Sequence, residues 1–118
     1  MKKGVGTMES ISVINTIKVP KGMEAEAEEV RNVYVSYFKR QPGFVSSSFY
    51  KSIEREKDDI IKYINIVVWE SLEAFNHVVN QGFSNDEGKN SDGYKVLGKG
   101  FQKPIEVSPG RFVRIAED

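Results

Sequence analysis

The sequence contains no cysteine, only one histidine and only one tryptophan. Without cysteine, the chain forms no disulfide, thiolate nucleophile or zinc–thiolate site, and the absence fits a reducing compartment. No apolar run is long enough to span a bilayer. The first ten residues carry two lysines but no apolar core, so they differ from a secretory signal. Together these absences predict a cytoplasmic protein.

An excess of either charge is also missing, because 17 basic residues balance 17 acidic ones. A neutral chain has no general affinity for nucleic acid or for an anionic membrane. It also has little charge to keep copies apart, which leaves self-association open. The length of 118 residues suits one domain with its own core. We expect a tail over residues 1–9 and a single domain over residues 10–118.

The hydrophobic periodicities predict the order strand, helix, strand, strand, helix, strand. The predicted strands span residues 11–19, 44–53, 60–69 and 105–115, and the first helix spans residues 23–41. Ser71 is suited to cap the second helix. This order predicts an α+β protein of the ferredoxin-like βαββαβ plan, with a four-stranded antiparallel sheet and both helices on one face. Pro109 and Gly110 predict a bulge in the last strand.

The helices carry apolar stripes at three- and four-residue spacing. The first stripe comprises Met23, Ala27, Val30, Tyr34 and Tyr37, with Val33 beside them. The second comprises Leu72, Phe75 and Val79, with Val78 alongside. Acidic residues crowd the first turns of the first helix, and we interpret them as a solvated face: Glu24, Glu26, Glu28 and Glu29.

Two polar residues interrupt the apolar strand over residues 60–69, namely Asn65 and Trp69. Strand side chains alternate between faces, so Tyr63 shares a face with both. Asn15 interrupts the first strand in the same way. The first and third strands are neighbours in the predicted topology. If their faces match, the two amides meet in one pocket between sheet and helices.

The third strand is apolar on both faces, which is typical of a strand that is buried on both sides. Helices on one side of a sheet leave its other face uncovered. We therefore predict a homodimer in which the two sheets pack together. Glycines punctuate residues 81–103, where we expect some packed segments, a short helix near Tyr94 and a loop able to gate a pocket.

Four segments of the chain resemble the antibiotic biosynthesis monooxygenase (ABM) family: VINTIKVPKG (13–22), QPGFVSSSFYKSI (41–53), YINIVVWESLEAF (63–75) and SPGRFVRI (108–115). The resemblance implies a dimeric α+β barrel built from ferredoxin-like homodimers. The best understood members oxidise small polycyclic phenols or anthrones with molecular oxygen and use no metal, flavin or haem. Asn65 and Trp69 match an asparagine and a tryptophan at the same spacing in those oxygenases.

The resemblance therefore implies a cofactor-independent oxygenase acting on a small hydrophobic aromatic or quinone-like molecule. In such a site, the Asn65 amide holds an enolate oxygen and the Trp69 indole N–H holds a carbonyl or a reduced oxygen species. Asn15, Tyr63 and Tyr34 are expected to line the pocket. The two tyrosines are candidate general bases by residue type alone.

Three other interpretations remain open. The chain can be a dimeric binding module that keeps the fold without the chemistry, and Trp69 and the asparagines can serve only as core residues. A second branch of the fold degrades haem with an Asn, a Trp and a proximal His. Asn15 matches the first of these, but Val78 replaces the Trp. The only histidine, His77, lies about 140° from the apolar stripe, so haem degradation is disfavoured.

Overall fold

The computed structural model describes residues 9–80, 101 and 103–118. Most of the predicted tail over residues 1–9 lies outside these ranges. So does most of the glycine-rich stretch, including the predicted helix near Tyr94. None of the helices within the described ranges has the length and apolarity needed to cross a membrane.

The four strands form one antiparallel sheet in the order β2-β3-β1-β4. Its elements along the chain are β1 (Ile11–Val19), α1 (Glu24–Phe38), β2 (Phe44–Arg55), β3 (Ile61–Trp69), α2 (Leu72–Phe75) and β4 (Glu106–Phe112). A 3₁₀ turn, Lys57–Asp59, joins β2 to β3, and a π-helical turn, Asn76–Asn80, extends α2. This is the ferredoxin-like α+β plan, so the predicted fold class is confirmed.

The core lies between the helices and one face of the sheet, as two separate apolar clusters. Each contains residues from the sheet and from helix α1. The Trp69 cluster comprises Val13, Val35, Tyr37, Phe38, Val67, Trp69, Phe75, Val78 and Val79. The Tyr63 cluster comprises Ile17, Val19, Ala27, Ile61, Tyr63 and Ile105. Odd-numbered residues of β3 are buried and even-numbered ones are partly exposed, apart from the exposed residue that follows the strand. The alternation predicted for this strand is therefore confirmed.

The start of β2 is tied closely to the end of β3. Gly43 has φ +92°, and a Cβ built there would lie 2.5 Å from the Ala74 Cβ. Only glycine combines this backbone conformation with so close an approach. The backbone N–H of Glu70 donates to the Gly43 carbonyl at 2.8 Å. The predicted cap of α2 is confirmed, since the Ala74 N–H donates to the Ser71 Oγ at 3.0 Å.

Helix α1 differs from the prediction in its end and in its buried face. It ends at Phe38 because Arg40 and Gln41 make tight i→i+3 bonds to the carbonyls of Tyr37 and Phe38, and Pro42 disfavours α geometry in the residue before it. The predicted stripe was shifted in phase. Val33 is 54% exposed, whereas Val35 and Phe38 are buried. Apolar residues occur at both phases, so periodicity alone does not separate them.

Two smaller predictions were wrong. The pairing of β4 with β1 runs without a register shift from Glu106 to Phe112, so Pro109 causes no bulge. β4 is an edge strand, where the missing N–H of proline is tolerated. Leu72 is 45% exposed, because the helix widens into a π turn after Phe75 and the 3.6-residue period no longer applies.

Candidate functional site

A row of four side chains crosses the sheet on its helix-facing side. Asn15 lies directly opposite Asn65, with Phe49 beyond Asn65 on β2 and Pro109 beyond Asn15 on β4. Side chains of directly opposed residues share one face of a sheet, with Cβ atoms about 5 Å apart. The two asparagines therefore meet, as the strand pattern predicted. We call this line of residues the asparagine row.

The asparagine row is the polar boundary between the two apolar clusters. Val13 and Val67 precede it in the Trp69 cluster, and Ile17 and Tyr63 follow it in the Tyr63 cluster. Asn65 is fully buried and is the one buried polar residue in the described part of the chain. Burying an amide is unfavourable unless it is hydrogen-bonded, so its partners decide what the row does.

Three buried polar atoms in and above the row have no hydrogen-bond partner among the described residues: Asn15 Oδ1, Tyr34 Oη and Asn65 Nδ2. A buried polar group left unpaired costs about 1–3 kcal/mol, so such atoms are rare in folded proteins. Three from adjacent residues offer donors and an acceptor to a bound polar molecule.

The other end of the Asn65 amide is held from α1. The Arg31 Nε donates to Asn65 Oδ1 at 2.8 Å, and the Arg31 guanidinium lies 4.6 Å from the centre of the Phe49 ring. Burial lowers the pKa of Arg31, but a guanidinium stays charged in proteins. The sequence analysis missed Arg31. Its position, four residues after Ala27 and three before Tyr34, was the available signal, because it places a cation on the inner face of an amphipathic helix.

Tyr34 reaches the row from α1, with its ring at 5.5 Å from Phe38 and 5.9 Å from Phe101. Burial raises the pKa of the Tyr34 hydroxyl to about 12, against smaller opposing effects of the Asn15 amide and the Arg31 charge. The Asn15 and Tyr34 side chains thus influence each other without forming a hydrogen bond of standard geometry. Tyr34 is a neutral donor at pH 7, so its raised pKa argues against the general-base role considered from residue type.

The raised pKa of Tyr34 predicts a loss of stability in alkali. The unfolded chain releases this proton near pH 10 and the folded chain near pH 12. The stabilisation is therefore complete below about pH 10 and is lost as the pH rises to about 12, by at most about 3 kcal/mol. Urea unfolding across this range should show a shallower loss for Tyr34→Phe than for the wild type. Equal slopes would contradict the buried hydroxyl.

Tyr63 shares the face of Asn65, but its hydroxyl is already engaged. It donates to Glu28 Oε2 at 2.6 Å, and its ring stacks on Phe49 at 5.2 Å. Burial and the adjacent Glu28 carboxylate raise the pKa of Tyr63, which also argues against a general base. Glu28, which also lies 3.7 Å from Lys51 Nζ, corrects the prediction that its acidic run is only a solvated face.

Trp69 lies at the far end of the same face. It is 1% exposed, and its ring is surrounded by those of Phe38, Phe44 and Phe75 at 5.5, 6.0 and 6.3 Å. Four residues of strand separate its Cα from that of Asn65 by about 13 Å. The structure thus places Trp69 in an aromatic cluster, and its predicted catalytic role stays a prediction.

The remaining sequence candidates lie away from the row. His77 is exposed, as its helical position predicted. Within the described ranges, no group of three His, Cys, Asp or Glu side chains could hold a metal ion. A depression on the exposed side of α1, which does not include Asn65, is lined by Glu29, Asn32, Val33, Ser36, Tyr37 and Arg40.

Comparison with known proteins gives one family match. The family model described as antibiotic biosynthesis monooxygenase matches residues 10–82. The chain is also 36% identical, over 73 residues, to the deoxynogalonate monooxygenase of Streptomyces nogalater. That alignment covers 62% of this chain and 58% of the relative, so it spans less than two thirds of the relative's length.

Solved structures share the fold over nearly the whole chain. A candidate monooxygenase of Shewanella loihica has 20% identity and a TM-score of 0.67, covering 96% of this chain and 100% of its own. SnoaB, a cofactor-independent oxygenase of Streptomyces nogalater, has 24% identity and a TM-score of 0.60, covering 92% and 96%. A heme-degrading protein of Mycobacterium tuberculosis has 22% identity and a TM-score of 0.58, covering 93% and 96%. At such identities the likeness concerns the fold, which hosts more than one chemistry.

Proposed function

Because the chain belongs to the antibiotic biosynthesis monooxygenase family, we propose that it oxidises a small hydrophobic aromatic or quinone-like metabolite with molecular oxygen and without a cofactor. The observation that carries the proposal is the set of unpaired buried atoms of Asn15, Tyr34 and Asn65. These atoms suit a ligand oxygen that accepts hydrogen bonds from Asn65 and Tyr34, and a ligand hydroxyl that donates to Asn15. The flanking apolar clusters suit the rings of such a ligand.

The chemistry requires an electron-rich anion. An anthrone that loses a proton becomes an enolate, which passes electrons to oxygen. Its methylene group is oxidised to a carbonyl, one oxygen atom stays in the product and the other leaves as water, so anthrone plus O₂ gives anthraquinone plus H₂O. The donors of Asn65 and Tyr34 stabilise the negative oxygen, as in an oxyanion hole. The charge of Arg31 adds to this stabilisation.

In this proposal, no described side chain removes the proton. Tyr34 and Tyr63 both have raised pKa values, so the site works by making the bound substrate a stronger acid. Asn65 is the main donor, Asn15 and Tyr34 orient the substrate, and the Tyr63 ring forms one wall. For Trp69 we retain a contact with the far end of the substrate as a proposal.

A non-catalytic binding module is the second candidate, and one observation favours it. Neither tyrosine near the amides titrates close to neutral pH, so a ligand that does not ionise by itself would be bound without being oxidised. Such a module needs the same donors and acceptor but no electron transfer.

Oxygen uptake tests the proposed function. The purified, metal-stripped protein is mixed with a panel of anthrones and hydroquinones, and oxygen consumption is followed beside a protein-free control. We expect consumption above the protein-free rate, with one oxygen molecule used per anthrone. Silence across the panel, together with binding seen by thermal shift, would favour the binding module instead.

The proposal includes a cytoplasmic homodimer. The helix-free face of the sheet is apolar at its centre, where Ile14 pairs with Ile66, and it exposes 57% of Tyr50 and 52% of Phe112. Light scattering should give twice the mass of one chain. Ile66→Lys should give monomers, because a buried lysine at the interface is unfavourable. The control Ile53→Lys alters a side chain that is 99% exposed and should stay dimeric. A monomeric wild-type protein would refute the dimer.

A further inference from the structure

The two ends of the Asn65 carboxamide are chemically opposite but similar in shape, so contacts must decide its orientation. Arg31 decides it here. A guanidinium donates hydrogen bonds and accepts none, and its Nε lies 2.8 Å from Asn65 Oδ1. The carbonyl end therefore faces α1. The amino end, Nδ2, is left without a partner among the described residues.

Arg31 is itself held in place by a stack of side chains. Its guanidinium lies over Phe49 at 4.6 Å, and Phe49 stacks on Tyr63 with 21° between the ring planes. Glu28 accepts the Tyr63 hydroxyl hydrogen at 2.6 Å. Because Phe49 also lies opposite Asn65 in the strand pairing, the stack and the amide share one row. A flat cation on an aromatic face is a favourable arrangement that lysine reproduces poorly.

We infer that Arg31 is a positioning residue that keeps Asn65 facing the site as a hydrogen-bond donor, and that its charge makes the site select the anionic form of an oxygen ligand. The inference rests on the proposed function for the location of the ligand. It adds a residue outside the four family-like segments and a ligand class, a phenolate or enolate.

The other charged groups around the row leave this selectivity to Arg31. On α1, the Glu28 carboxylate is engaged by Tyr63 and lies 3.7 Å from Lys51 of β2. On β4, Arg111 lies 5.8 Å from the ring of Phe75, within reach of the Trp69 cluster. On α1 and β3, Tyr34 and Tyr63 are neutral at pH 7 because burial raises the pKa of both.

Alizarin is the probe for the test, because this hydroxyanthraquinone changes its visible absorption when it ionises and needs no turnover to report. An opposite charge a few ångströms away lowers the pKa of an acid by roughly 1–3 units. We expect the wild-type protein to lower the pKa of bound alizarin by that amount. Arg31→Met should return the pKa close to that of free alizarin, and Arg31→Lys should retain part of the shift.

Arg40→Met is the matched control. It removes an arginine from beyond the end of α1, where Arg40 lies 5.9 Å from the Tyr37 ring, and it should keep the full shift. If Arg31→Met fails to fold by circular dichroism, Arg31→Lys decides. Full retention of the shift in the folded Arg31 variants, or no alizarin binding by the wild type, would overturn the inference.

The outcome is separable from that of the proposed function. A shift that depends on Arg31, without oxygen uptake on any anthrone, supports the inference and refutes the oxygenase. Oxygen uptake that Asn65→Ala abolishes and Arg31→Met leaves unchanged supports the oxygenase and overturns the inference.

Discussion

Replacing Asn65 by alanine should lower kcat/KM for anthrone oxidation about 10²–10³-fold, the loss that follows removal of one oxyanion-hole donor. The reason lies in the unpaired Nδ2 of this fully buried residue, which is the donor that a substrate enolate requires. Oxygen uptake and phenolate binding should both fall. Binding of uncharged aromatic molecules should change less, because the apolar walls remain.

Asn65→Asp is the sharper variant, because it preserves shape and reverses chemistry. A carboxylate keeps Arg31 as a charge-assisted partner, so the protein should stay folded. The oxygen that then faces the site accepts hydrogen bonds and repels an anion. We expect a loss of activity at least as large as with alanine, together with loss of phenolate binding.

Asn32→Asp provides the matched control for that variant. Asn32 lies on the exposed side of α1, where its Oδ1 accepts from Arg31 Nη1 at 3.0 Å. The substitution therefore adds the same carboxylate beside the same arginine but outside the row. Exposed ion pairs contribute less than about 1 kcal/mol, so kcat/KM should stay within about fivefold of the wild type. Equal losses in the two Asp variants would contradict a donor role for Asn65.

Trp69→Ala should lower the free energy of unfolding by about 3–5 kcal/mol. The indole is 1% exposed and packs at 5.5 Å from Phe38 and 6.0 Å from Phe44 in edge-on contacts. Removing it opens a large cavity and loses those contacts together. A loss of this size is a large part of the stability of a single domain. Urea unfolding at neutral pH measures it.

Leu72→Ala is the control for this loss, since the Leu72 side chain is 45% exposed. Its effect should be within about 1 kcal/mol. Trp69→Phe separates packing from chemistry, because it keeps an aromatic ring and removes the indole N–H. A folded Trp69→Phe protein with wild-type oxidation makes Trp69 purely structural. A folded protein without oxidation supports the predicted role of the indole N–H. A stable Trp69→Ala protein would contradict the aromatic cluster.

The sequence by itself determined the order of elements and the face on which each strand residue lies. Alternation in residues 60–69 and three- to four-residue spacing in the first helix are local properties, and they predicted the antiparallel sheet. They also placed Asn65 and Asn15 on neighbouring strands. The meeting of the two amides needed only the strand pairing, in which they lie opposite each other.

The tertiary structure decided what each amide contacts. Arg31 and Asn65 are 34 residues apart, and Glu28 and Tyr63 are 35 apart, so no local pattern links them. The phase of α1 was decided in the same way, since Val33 and Val35 are equally apolar and only packing buries Val35. Side-chain chemistry and periodicity are written in the sequence. Which polar atom is paired, and which is left for a ligand, depends on the docking of a helix onto a sheet.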